Sequence, residues 1–198
     1  MRALVPVHRR TVLAAAVALL FLGPAPATAA PAERLHAVAD LAARRLAVAD
    51  TVAAAKWRTG APVEDLGRER LVLDAVARRA EELGGDPAAA VRIFRDQIEA
   101  GKDVQRALHR RWDADPAHAP AARPDLSEAR TEINRIDEAL VRAVTAAALD
   151  RAAPSCGAVL LAAAARVTFE QDQDTTHARA LDRALGSVCA ERGTGVRR

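Results

Sequence analysis

The chain contains no tyrosine, three phenylalanines and two tryptophans in 198 residues. Proteins that track single-stranded nucleic acid stack bases on aromatic side chains, and this sequence has almost none to offer. Its net charge of +3 does not alter that, because basic and acidic residues interleave along the same segments and form no basic stripe. A nucleic-acid partner is therefore set aside. Cysteine is scarce too: Cys156 and Cys189 are the only two, and neither has a His or another Cys at metal-ligand spacing. His36, His109, His118 and His177 form no i, i+4 pair and no Glu-x-x-His motif, which argues against a metal or haem bundle. No persistent alternation of β-branched residues suggests a strand. The sequence lacks any apolar run long enough to span a bilayer, since Thr11 to Leu22 falls short of the roughly 20 residues required.

That short run carries information of its own. It follows a basic start with Arg2, His8, Arg9 and Arg10, and it precedes Ala27-Thr28-Ala29, a small-x-small triplet. This is the order of a secretory signal, with cleavage expected after Ala29. Export by the general secretory route is the primary reading, and Arg9-Arg10 leaves the twin-arginine route open. The protein is expected in the periplasm or outside the cell, with no membrane attachment once the signal is removed. Residues 30–198 then form one domain, its last few residues disordered. In an exported protein two cysteines read first as one disulfide, the alternative being two buried free thiols.

Alanine and leucine dominate, with Gly and Pro at segment ends, and the pattern is all-α. Six helices are expected in a single-domain bundle. The first spans Pro31 to Arg58 and stops before Gly60. The second starts near Asp65 and ends at Gly84-Gly85. Asp86-Pro87 supplies an N-cap and an N1 proline for a third, reaching Trp112. After a Pro- and Ala-rich connector, Asp125 caps a fourth, with Glu128 placed for a capping box. A fifth starts at Pro154 and a sixth runs from Thr175 to Arg192. If these last two are antiparallel, Cys156 and Cys189 come together, and the closed loop stabilises the fold by roughly 3–4 kcal/mol.

Polar residues interrupt the apolar stripes. Arg45, Ala49, Val52 and Lys56 share one face of the first helix at i, i+4, i+7 and i+11. In the third, Gln105 lies in the stripe Val91, Phe94, Ile98, Gly101, Leu108 and Trp112. In the fourth, Arg130 lies in line with Leu126, Ile133, Ile136 or Asp137, Leu140 and Val144. Burying such groups is costly without partners. Either they reach the rim or pair with local acids, or they converge on a pocket whose counter-ions arrive with the ligand. In the second case several cations facing one interior suit a small molecule with two carboxylates.

These residues fall in segments that resemble the helical chorismate mutases, in particular their exported subclass. The segments are Ala42 to Arg58 (AARRLAVADTVAAAKWR), Pro62 to Arg70 (PVEDLGRER), Ile93 to Gln105 (IFRDQIEAGKDVQ) and Pro124 to Arg130 (PDLSEAR). The resemblance covers the chain after the signal, including the C-terminal cysteine pair. It implies a cofactor-free rearrangement of chorismate to prephenate in a homodimer. By position, Arg45 matches an arginine that binds a substrate carboxylate, and Lys56 a lysine that touches a carboxylate and the ether oxygen. Asp65, Arg68 and Glu69 match a cluster around the substrate, with Glu69 receiving the ring hydroxyl. Gln105 matches the donor to the ether oxygen, and Arg130 the arginine on the other carboxylate. Gly101 departs from the pattern, because that subclass usually carries Ser or Thr there to bind a carboxylate, so weaker substrate binding is expected. The rival reading is a non-enzymatic exported helical module for binding or stress sensing, or an inactive mutase homologue, which Gly101 would suggest.

Overall fold

The computed structural model describes residues 29–121 and 124–190. The expected signal segment and the expected disordered C-terminal end lie outside these residues, apart from Ala29. The described residues form seven α-helices and one 3-10 turn, with no strand among them.

Helix α1 runs Pro31–Thr59, about 44 Å long. Glu33 lies in its first turn, and Gly60 ends it in the left-handed conformation (φ 67°), a geometry that costs glycine no Cβ clash. Helix α2, Leu66–Glu82, is capped by Asp65, which accepts from the Arg68 N–H at 3.0 Å. Helix α3, Pro87–Ala114, is capped by Asp86 through the Ala88 and Ala89 N–H groups. A 3-10 turn over Pro116–His118 leads to α4, Leu126–Ala146. Asp125 caps α4 by accepting from Ser127 N at 2.7 Å.

The C-terminal third departs from the six-helix expectation. A short α5, Ala148–Ala152, stands between α4 and α6, Cys156–Glu170, and α7 is only Thr175–Ala184. Cys189 is therefore beyond the last helix and not within one. Gly186, just past the Leu185 cap, helps end α7, and burial fixes the segment that follows. Leu185 and Val188 turn into the core, Arg151 donates its Nε to Val188 O at 2.7 Å, and Ala190 N donates to Arg151 O at 2.9 Å. The expected disulfide is nevertheless present, with Cys156 and Cys189 Cα atoms 5.8 Å apart.

Helix α1 is the central element, packed against α3, α4, α6 and α7, while α3 also contacts α2 and α7. The core gathers Leu35, Val38 and Leu46 from α1, Ile93, Phe94 and Val104 from α3, and Leu140, Val141 and Leu181 from α4 and α7. Toward the other end of α1, Ala53 and Ala54 pack with Trp112 and Trp57 in a smaller cluster. On α1, Arg45 is set among residues of the larger cluster, and Lys56 lies just past Ala53 and Ala54 of the smaller one.

Candidate active site

A cavity of about 110 Å³ opens where α1, α2, α3 and α4 meet. Its walls include all eight residues singled out in the sequence: Arg45 and Lys56 from α1, Arg68 and Glu69 from α2, Asp65 at the α2 cap, Gly101 and Gln105 from α3, and Arg130 from α4. Helical periodicity accounts for this convergence. The spacing of eleven between Arg45 and Lys56 is close to three turns, so both point the same way with Ala49 and Val52 between them as apolar wall.

The guanidinium of Arg45 is held rigidly. Its Nε donates to Asp137 Oδ1 at 2.8 Å and its Nη1 to the Gln97 carbonyl at 2.9 Å. Arg45 and Asp137 are both buried. Nη2 has no hydrogen-bond partner among the described residues. Lys56 is buried as well, and its ammonium donates to Val63 O at 2.7 Å. Burial pulls its pKa below the ordinary lysine value, with Arg130 adding to the effect and Asp65 opposing it. Arg130 is half-exposed and donates Nη2 to Asp65 Oδ2 at 3.2 Å. Arg68 reaches Asn134 Oδ1 at 2.5 Å. The Gln105 amide turns one N–H back to Gly101 O at 3.2 Å, leaving its second N–H for another acceptor. Gln105 Oε1 is buried with no partner.

The sequence leaves open whether these cations pair with protein acids or wait for a ligand, and the structure shows acid partners for some and none for others. Arg45, Lys102 and Arg130 have carboxylate partners, and the wall cations Arg45, Lys56, Arg68, Lys102 and Arg130 face Asp65 and Glu69 in the wall, with Asp137 and Glu99 pairing from behind it. The surplus is positive.

Sequence reasoning missed Lys102. It is buried, lines the cavity, and donates to Glu69 Oε1 at 3.2 Å while also pairing with Glu99. Burial lowers its pKa, but the hydrogen bonds it donates to Glu99 and Glu69 outweigh that, so it is held above its ordinary value. A stripe analysis assumes one buried face, whereas α3 is covered on several sides, by α1, α2 and α7. Lys102 faces α2. The one available signal was rarity, since Lys56 and Lys102 are the only lysines in the chain. Gln97, fully buried and donating to Ala184 O at 2.9 Å, was missed for the same reason.

An all-helical bundle enclosing a small cavity with surplus positive charge defines a site for a compact polyanion. Residues 36–106 match the family model for chorismate mutase type II. The chain is 36% identical over 168 residues to the secreted chorismate mutase of Mycobacterium tuberculosis, covering 85% of this chain and 84% of that protein. It is 35% identical over 175 residues to the secreted chorismate mutase of Mycolicibacterium smegmatis, covering 88% and 97%. The crystal structure of a chorismate mutase from Burkholderia thailandensis superposes with a TM-score of 0.76 at 36% identity, covering 79% of this chain and 99% of that one. The chain belongs to the chorismate mutase family and stands with its secreted members. The reading as a non-enzymatic module gives way to this relationship.

Proposed function

We propose that the cavity binds chorismate as a dianion and rearranges it to prephenate, and that the eight residues named from the sequence are the ones that do so. The observation that carries this reading is the electrostatic balance: five cationic side chains and two carboxylates line one small apolar-walled cavity, and the cations remain in excess by one after Asp137 and Glu99 are counted against Arg45 and Lys102. Water would screen such a cluster on a surface. In a confined site it favours a ligand that brings two negative charges.

The reaction breaks one C–O bond and forms one C–C bond within a single molecule, so it calls for no nucleophile, base, metal or cofactor. Its barrier has two parts that a protein can lower. The first is conformational. Arg45, fixed by Asp137 and the Gln97 carbonyl, holds one carboxylate through Nη2, and Arg130 holds the other, so the substrate stays compact with its reacting carbons in contact. The second is electrostatic. Negative charge develops on the ether oxygen as the C–O bond stretches, and Lys56 and the free Gln105 N–H are donors already in place. Glu69, itself steadied by Lys102, accepts from the ring hydroxyl, and Arg68 and Asp65 complete the wall.

The protein is exported. We further assign the export to a signal peptide over residues 1–29, and the assembly to a homodimer whose sites each lie within one chain. Nucleic acid and membrane have no part in this reading. Loss of chorismate absorbance tests it directly, with Arg130→Ala as the companion variant. Saturable turnover that collapses in the variant is the expected result. A folded, disulfide-bonded protein without turnover would refute the reading.

A further inference from the structure

Six charged side chains are buried among the described residues. Four of them meet an opposite charge: Arg45 and Asp137 pair with each other, Lys102 with Glu69 and Glu99, and Asp150 with Arg34. Two do not. Lys56 lines the catalytic cavity, where the reading above gives it a ligand charge to meet. The other is Arg151, and it lines a different cavity.

Arg151, in α5, is 8% exposed and stays charged, because a guanidinium does not give up its proton in a protein. Its Nε donates to Val188 O at 2.7 Å and its Nη1 to Val144 O at 3.4 Å. Val144 lies in the last turn of α4, so that carbonyl belongs to the negative end of a helix. Such an end carries only about half a charge, and a buried ion needs a whole one. The adjacent acid, Asp150, is committed to Arg34 at 2.9 Å. Burial pulls the pKa of Arg151 below the ordinary arginine value; Asp86 offsets this and Arg92 adds to it. Asp86 in turn already accepts from the Ala88 and Ala89 N–H groups as the α3 cap.

The second cavity measures about 340 Å³, and its walls include Asp86, Arg92, Arg151, Ser187 and Cys189. It shares no wall residue with the catalytic cavity. Arg92 is exposed and has neither a hydrogen bond nor an ion pair among the described residues. Two guanidiniums and one hydroxyl thus stand against a single carboxylate. We propose that this cavity is a second ligand site, which takes a small oxyanion, a carboxylate or a phosphate, on Arg151 and Arg92 with Ser187 Oγ as a further donor. Arg151 Nη2 has no partner among the described residues, and the N–H fork of a guanidinium matches two oxygens of such an anion. Arg151 also holds the segment after α7, through Val188 O and through its own carbonyl, which accepts from Ala190 N at 2.9 Å. An anion that neutralises Arg151 therefore stabilises this end of the chain, beside the Cys156–Cys189 disulfide.

Thermal melting of the exported form of the chain, with its disulfide intact, tests this without reference to turnover. Sodium acetate and sodium phosphate are each titrated against sodium chloride at matched ionic strength. A saturable rise in Tm is expected, roughly 5 °C at about a hundred times Kd, and the tighter of the two anions names the source. Excluded salts raise Tm in general, and the catalytic cavity attracts the same anions, so the location is read from Arg92→Ala. This substitution removes an exposed side chain, so the fold and chorismate turnover remain, while the half-saturating concentration should rise about tenfold. Arg151→Lys keeps the charge but loses the fork and should weaken binding similarly. No saturable rise with either anion would overturn the proposal. So would an equal rise in Arg92→Ala, which would place the anion in the catalytic cavity. A rise seen only in Glu191→Gln would do the same, since the carboxylate next after Ala190 would then be what fills the site.

Discussion

Replacing Gly101 by serine should tighten substrate binding and stabilise the protein together. Gly101 is buried in mid-α3, one turn before Gln105, and a Cβ built there meets only Arg45 Nη1, at 3.8 Å. That is ordinary contact, so Gly101→Ser fits without repacking. Serine is the better helix residue by roughly 0.4 kcal/mol, which raises Tm by about 1 °C in a domain of this size. The larger effect is at the ligand. A hydroxyl beside Arg45 can donate to the carboxylate that Arg45 holds. A hydrogen bond to a charged group is worth about 1.5–3 kcal/mol, and the lower figure corresponds to about tenfold. Because the carboxylate is bound equally in ground and transition states, the gain belongs to KM and leaves kcat unchanged. Steady-state kinetics on chorismate and a thermal melt measure both quantities. The alternative partner for the new hydroxyl is the Gln97 carbonyl one turn back. A raised Tm with an unchanged KM would mean that the hydroxyl bonds there, and it would refute the placement of a substrate carboxylate at this corner.

Three further outcomes follow from the same geometry. Activity should be flat from about pH 5 to 8, because Gln105 donates whatever its surroundings and no carboxylic acid has to be protonated. Its alkaline limb should lie below the ordinary lysine value of about 10.4, since burial depresses Lys56. A steep rise toward acid in the pH–rate profile would contradict the role of Gln105, whereas Gln105→Glu should introduce one. Asp137→Ala strands a buried guanidinium, so a loss of roughly 3 kcal/mol in urea unfolding and a raised KM are expected. Asp137→Asn keeps an acceptor for Arg45 Nε and should retain most of both. His177 ties the start of α7 to α1 through Asp50 at 3.0 Å, and also binds Asp174 at 2.9 Å. The Asp50 hydrogen bond and then Asp174 outweigh burial and raise its pKa to about 9. A folded-state pKa above the unfolded one means that this stabilisation is complete below about pH 6.5 and lost as pH rises to about 9. Because Asp50 and Asp174 are about half exposed and screened by water, denaturant titrations across that window should show a loss on the order of 1–2 kcal/mol, well under what the full shift carries, and absent in His177→Ala.

Where the information is local, the sequence was a sufficient guide. Asp86-Pro87 and Asp125 announce helix starts, and Gly60 announces a stop, because caps depend on neighbours a few residues away. The direction of Arg45, Lys56, Gln105 and Arg130 is likewise local, as 3.6-residue periodicity sets which side of a helix each occupies. Those four could be grouped before any packing was known. Their roles came from resemblance to a family, and spacing alone would have stopped at a site for a small dicarboxylate.

What only the tertiary structure decided is which groups meet across helices. Asp137 lies 92 residues from Arg45 and Glu69 lies 33 from Lys102, and neither pairing leaves a mark in either local pattern. Lys102 escaped because α3 is buried on more than one side, a property of its neighbours and not of its own sequence. The shortened α7 belongs only partly to the same class. Gly186-Ser187 just past the end of α7 is a local stop that the six-helix expectation passed over, and packing completes it: Leu185 and Val188 enter the core and Arg151 takes the Val188 carbonyl. Local preference is worth tenths of a kcal/mol per residue, whereas burying a large apolar side chain is worth about 1.5–3 kcal/mol. Where the two compete, packing sets the outcome, and this chain's long-range pairings are therefore written in its fold.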